Sequence, residues 1–323
     1  MFSIPTDVSD EPAAQPPPGV ESNFIDPPSL QPAIVLLEAV FTPLILLAVA
    51  IRVYVRTRVL KLWGWEDTTC LLALCGSIAN LAMVMKCMFL GIGRHMWNVP
   101  LKIFLDPLNN RILAVNITYP WAVCFAKLSI LLLYKRLFPV GHEKIVIWVG
   151  LILISVLYAT FITLSIVNIA ICTDIYSQVS FFCAFAYRNV VIWTGTVNVA
   201  TDLYVIVLLI NQFRKLQMSL RRKVGLCCIF ALGIGACAAS IARLVIIVKN
   251  MDSTDSTWVS AELSLFTITE INIGIIVSCV FGFLDGDVHT RGIGFEVGVS
   301  FHWRGFYLCI YSTSRSPLAF MSI

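Results

Sequence analysis

The chain has 323 residues, of which 58% are hydrophobic and only 13% charged, against about 45–50% and about 25% in soluble domains. Its 23 basic and 19 acidic residues give a net charge of +4, too few to coat a soluble surface of this size and too evenly balanced to point to nucleic acid. A water-soluble globule is excluded, and so is a disordered chain, which needs low hydrophobicity and high net charge.

Residues 1–31 carry Asp7, Asp10, Glu11, Glu21 and Asp26 among seven prolines, and no lysine or arginine. They lack the basic start and early apolar run of a cleavable signal peptide. The reading is a disordered, acidic, Pro-rich leader on the outside, with the first span acting as its own anchor. Beyond it, a bilayer core of about 30 Å needs about 20 mostly apolar residues in a helix. Seven stretches meet that length: Ala33–Tyr54, Thr68–Leu90, Ile112–Tyr134, Ile145–Ile171, Val190–Ile210, Val224–Val248 and Trp258–Leu284. Backbone groups in lipid must be satisfied within the segment, so runs this long are helices. A membrane barrel would alternate in short segments instead. The expected fold is therefore an all-α, seven-transmembrane-helix bundle over 32–284, followed by a tail over 285–323.

Orientation follows from the lysines and arginines. The loops after spans 1, 3 and 5 hold Arg52, Arg56, Arg58, Lys61, Lys135, Arg136, Lys144, Arg214, Lys215, Arg221, Arg222 and Lys223. The opposite loops hold only Arg94, Lys102, Arg111, Arg188 and Lys249. The N-terminus is expected outside and the tail in the cytoplasm, with the basic loops facing the cytoplasm; most of these charges read as orienting the bundle, and the alternative is a surface for a cytoplasmic signalling protein.

Ionisable side chains within spans are costly and mark partnerships or function. Here they are Glu38, Lys86, Lys127, Asp202, Arg243, Glu262 and Glu270. Counting depth at 1.5 Å per residue puts Glu38, Lys86, Arg243 and Glu262 in an outer layer and Lys127, Asp202 and Glu270 in a deeper one. Lys127 is expected to pair with Asp202 or Glu270, and Lys86 and Arg243 with Glu38 or Glu262. The outer layer reads mainly as helix-to-helix ties; for the deeper one, a structural tie and a functional switch weigh about equally. Asn198 lies four residues before Asp202, on the same helix face.

Cys172 and Cys183 are the two cysteines expected to face an oxidising compartment. The reading is a disulfide between them, with two free thiols near the interface as the alternative. The four histidines, at 95, 142, 289 and 302, have no zinc-ligand spacing, and no phosphate-cradling Gly-Lys-Ser/Thr loop is present. No metal or cofactor site and no catalytic constellation is expected.

Several segments together resemble the fungal rhodopsin-like domain family, whose members include receptor-like seven-helix proteins. The matching stretches are Gly64-Trp65-Glu66-Asp67, the run from Gly91 to Trp97, and Lys127 to Pro139. Asn198 and Asp202, the run Ser240 to Leu244, and Trp258, Glu270 and Gly274-Ile275 complete them. The resemblance implies a receptor-like protein of the plasma membrane, with an internal membrane as the alternative, that senses an external small molecule or surface cue. It does not imply light sensing. A retinal Schiff base needs a lysine amine, and Trp258–Leu284 contains none. The alternative is a transporter or export helper of a secondary-metabolite pathway. An intramembrane enzyme using Asp202 or Glu270 as an acid finds nothing in the spacing that favours it.

Overall fold

The computed structural model describes residues 11–103, 109–137, 143–171, 181–213, 220–251, 253–292, 295–300 and 309–314, the last part of the chain (beyond residue 282) by its backbone alone. Seven long helices follow in order: α1 Gln31–Tyr54, α2 Trp65–Phe89, α3 Asn109–Leu137, α4 Glu143–Ile171, α5 Phe181–Phe213, α6 Leu220–Lys249 and α7 Ser256–Gly292. All seven are long and apolar enough to cross a membrane. Each predicted span falls on one of them, and most helices run past the apolar core by several residues. Lipid sets the length of the greasy stretch, whereas helix ends are set by caps and loops.

The bundle has an apolar core like that of a soluble protein, but its outer surface is apolar too. Large apolar side chains such as Leu36, Leu47, Ile152, Val156 and Trp193 are exposed, while Arg52, Asp67, Lys127, Asn198 and Glu270 are buried. Neighbouring helices touch in sequence and α7 returns to α1, closing a ring; α7 also packs on α2 and α3 across the middle. Close approach of α2 and α3 needs Gly76, because a Cβ there would lie 2.7 Å from the Trp121 ring and 2.9 Å from the Ala122 backbone.

α1 ends in a π turn over Val55–Val59, where Leu60 N–H reaches back to Val55 O at 2.9 Å. The wider turn rotates Arg56 into the bundle, where it is buried. α2 begins at Trp65, three residues before the predicted span, because the Asp67 carboxylate accepts from Gly64 N–H at 3.1 Å and caps the first turn.

Residues 11–30 were expected as a disordered leader. The structure instead lays them as irregular coil against the loop between α2 and α3. Ala13 N–H donates to Val99 O and Leu101 N–H to Glu11 O, both at 2.9 Å, and Leu30 N–H to Gly93 O at 2.8 Å. Asn23 N–H adds a bond to Asn98 Oδ1. Prolines remove donors and block helix formation, and the amides of Ala13, Asn23 and Leu30 find partners on the loop. Gly93 makes this possible: its φ is +94° and Gln31 packs directly over it. We call this the leader end of the bundle and the opposite one the arginine end. In the tail, which the sequence left without a clear element, β1 Phe295–Ser300 pairs antiparallel with β2 Cys309–Ser314.

Candidate functional site: a polar network between two cavities

Lys127, near the middle of α3, is the centre of a buried network. Its Nζ lies 2.7 Å from Asp202 Oδ1 on α5. It also donates to Thr201 Oγ1 at 2.8 Å, Asn198 Oδ1 at 2.9 Å, and Asn198 O and Tyr158 Oη at 3.1 Å. An ammonium has three hydrogens, so five oxygens this close saturate it. Four of those oxygens come from one turn and a half of α5, where Asn198, Thr201 and Asp202 share a face.

The network continues to α6 and α7 through Asn198. Its Nδ2 donates to Glu270 Oε1 at 2.7 Å and to Ser240 Oγ at 3.1 Å, and the Ser240 hydroxyl donates to Asp202 Oδ2 at 2.5 Å. Tyr119 O–H donates to Glu270 Oε2 at 3.1 Å. Arg243 stands beside Glu270, Nε to Oε2 at 3.8 Å, with its guanidinium over the Tyr119 ring at 4.2 Å. Two cations and two carboxylates therefore balance within the buried network, the condition under which buried charge is tolerated.

Arg243 differs from Lys127 in one respect. Its Nε and Nη2 are buried without a hydrogen-bond partner among the described residues, and the contact to Glu270 is too long to be one.

The network separates two cavities. Towards the arginine end, a cavity of about 60 Å³ lies between α3, α5, α6 and α7, with Lys127, Asp202 and Glu270 at its edge and Ile130, Leu209, Ile229 and Val277 among its walls. Towards the leader end, a cavity of about 100 Å³ is bordered by Tyr119, Arg243, Asn116, Ser260, Ser264 and Thr267, with apolar walls from Val84, Ile92, Val115 and Ile247.

The structure thus brings together Lys127, Asn198, Asp202, Arg243 and Glu270 and leaves three expected members elsewhere. Arg243 lies with Glu270 and not with Glu38 or Glu262: an arginine near the end of α6 reaches a full side chain's length inward. Glu38 is buried against its own helix, accepting from Thr42 Oγ1 at 2.9 Å. Glu262 accepts from Trp258 Nε1 one turn earlier. Lys86 is exposed, so the proposed outer layer of paired charges does not form. Cys172 and the side chain of Cys183 lie outside the described residues.

A second ionic cluster, at the arginine end, was not singled out from the sequence. Arg52 Nε lies 2.9 Å from Asp67 Oδ1 and Arg56 Nε 3.7 Å from the same atom. Arg52 also donates to Ser278 O at 2.6 Å, Ser278 Oγ at 2.8 Å and Glu66 O at 3.2 Å. The Glu66 carboxylate pairs with Arg136, and Ser129 bonds both Glu66 O and Ser278 Oγ. Three arginines assigned to the basic loop surface are thus drawn inward, or half so for Arg136, by two acids. The signal that finds them was present: Glu66 and Asp67 open the span that follows Arg52 and Arg56 in the chain, where an acid pair serves little purpose facing lipid.

At the leader end, His95 is stacked between Trp97 and Trp258 with centroids at 4.4 and 4.0 Å, its Nδ1 2.6 Å from Asp255 Oδ2. This clamp ties the loop before α3 to the start of α7. Among the described residues, no group of His, Cys, Asp and Glu is arranged to hold a metal ion.

The fungal rhodopsin domain matches residues 51–283, a stretch that contains both ionic clusters. A protein of Gibberella zeae named Fugralins biosynthesis cluster protein 2 is 29% identical over 285 residues, covering 84% of this chain and 69% of that protein. A SAT4 family membrane protein of Emericella nidulans is 33% identical over 175 residues, 52% of this chain and 43% of its own length. The Polyenoic acids biosynthesis gene cluster protein Ba17b of Metarhizium anisopliae is 25% identical over 288 residues, 79% of this chain and 76% of that protein. No solved structure matches.

Proposed function

The chain belongs to the fungal rhodopsin domain family, and on that premise we propose that it is a receptor-like protein that senses a small molecule through its membrane-embedded core. It is an integral, multi-pass membrane protein. The reading includes a leader on the outside of the plasma membrane and basic loops that meet a cytoplasmic signalling protein. One observation carries it: the Lys127–Asp202–Asn198–Glu270–Arg243 network ties α3, α5, α6 and α7 together beside a cavity that could receive a ligand. A ligand that competes for any member alters four helices at once, which is how a local contact biases a two-state bundle. α7 contains no lysine on which a retinal Schiff base could form.

The experiment is a clean deletion strain compared with its parent across chemical cues. The expected result is a response lost on deletion and restored by the wild-type chain but not by Asp202→Leu. Unchanged responses to every cue would sink the reading. A second reading, movement of a metabolite across the membrane, is supported by two relatives whose names place them in biosynthesis clusters and by the cavities on both sides of the network. Substrate flux in proteoliposomes separates the two: flux supports transport, and its absence with an intact cellular response supports sensing.

A further inference from the structure

We infer that the cavity at the leader end is a binding site for the head group of a small carboxylic acid, held by Arg243. The inference rests on the reading above that this core receives a small molecule, and names its chemical class. It begins from Arg243, whose Nε and Nη2 are buried with no hydrogen-bond acceptor among the described residues and whose side chain borders the cavity. Burying a guanidinium with two donors unused is costly, and a planar fork of N–H groups matches a carboxylate that accepts two parallel bonds.

The remaining lining fits the same ligand. Ser260, Ser264 and Thr267 supply hydroxyls from α7, and Val84, Ile92, Val115 and Ile247 give an apolar wall for an aliphatic chain. A volume of about 100 Å³ is several times the 10–15 Å³ that one water needs, so it accepts a head group with a few carbons.

Glu270 does not block this arrangement. It keeps hydrogen bonds from Tyr119 and Asn198 when Arg243, 3.8 Å away, turns to a ligand. The network is neutral as it stands, with Lys127 and Arg243 against Asp202 and Glu270. Charge balance is kept if the ligand enters as the neutral acid: its O–H bond breaks, the proton passes to a Glu270 carboxylate oxygen, and the resulting carboxylate takes the Arg243 fork.

The test uses the purified full chain in lipid nanodiscs, with hexanoate as probe and hexanamide as its neutral counterpart of the same shape. Saturable hexanoate binding is expected, tighter than hexanamide by about tenfold or more, as charge-assisted bonds to one guanidinium imply. Arg243→Gln should remove that preference. Glu270→Gln should strengthen hexanoate binding by roughly threefold or more, because it leaves the site one positive charge in excess. Loss of binding in the first variant by misfolding alone would not bring a gain in the second. Ser264→Phe, which fills the cavity and leaves Arg243 in place, should abolish binding while the protein still elutes as a folded species. Equal affinity for the two probes, unchanged binding in Ser264→Phe, or weaker binding in Glu270→Gln would each overturn the inference. A sensing defect on deletion without hexanoate binding overturns this inference alone; hexanoate binding with normal sensing leaves it standing and overturns the sensor reading.

Discussion

The arginine end and the middle of the bundle both bury several charges, and Arg52 in the one and Arg243 in the other are held differently. At the arginine end, Arg52 is wrapped by Asp67, Ser278 and the Glu66 carbonyl, so its donors are spent on the protein. In the middle, Lys127 is saturated in the same way, but Arg243 beside it is not, and cavities border the cluster on two sides. A fully bonded buried ion fixes helices to one another. A partly bonded one next to open space keeps binding capacity in reserve.

The sharpest way to break this comparison is to remove one partner from each cluster. Asp67→Ala removes the carboxylate that Arg52 and Arg56 share in the interior and should cost about 3–5 kcal/mol, read as a collapse in folded yield and melting temperature in detergent. Arg243→Gln should cost less, about 1–2 kcal/mol, because Glu270 retains two donors and Arg243 makes no hydrogen bond to it. If the two variants prove equally unstable, the distinction between a tie and a reserve fails. A finer contrast comes from the serines. Ser278→Ala and Ser240→Ala each delete a hydroxyl with two partners in its cluster and should each cost about 1 kcal/mol. Only Ser240→Ala should also change hexanoate affinity, since Ser240 shares its network with Glu270.

The seven spans were legible because lipid demands about 20 apolar residues per crossing, and no other architecture meets that demand with runs this long. Depth alone confined Lys127 to a partner in its own layer, Asp202 or Glu270, without choosing between them; the structure pairs it with Asp202. Arg243 was misplaced because depth was counted along the backbone, while a guanidinium sits several bonds away and reaches towards the nearest carboxylate. The cluster of Arg52, Arg56, Arg136, Glu66 and Asp67 stayed hidden for a related reason. Arginines near span ends normally face the cytoplasm, and the sequence does not display the π turn that swings Arg56 inward. The docking of residues 11–30 depends on a few isolated bonds to the loop, most of them between backbone groups, which leave no pattern in side-chain composition.

The most direct test of the buried network is a double-mutant cycle on Lys127 and Asp202, using Lys127→Met, Asp202→Leu and the combined variant, with unfolding followed in detergent. Each single change leaves an uncompensated charge in the interior and should cost about 3–5 kcal/mol. The combined variant removes both charges and should be more stable than either single one. Costs that simply add would contradict the ion pair, and with it the network on which the proposed function rests.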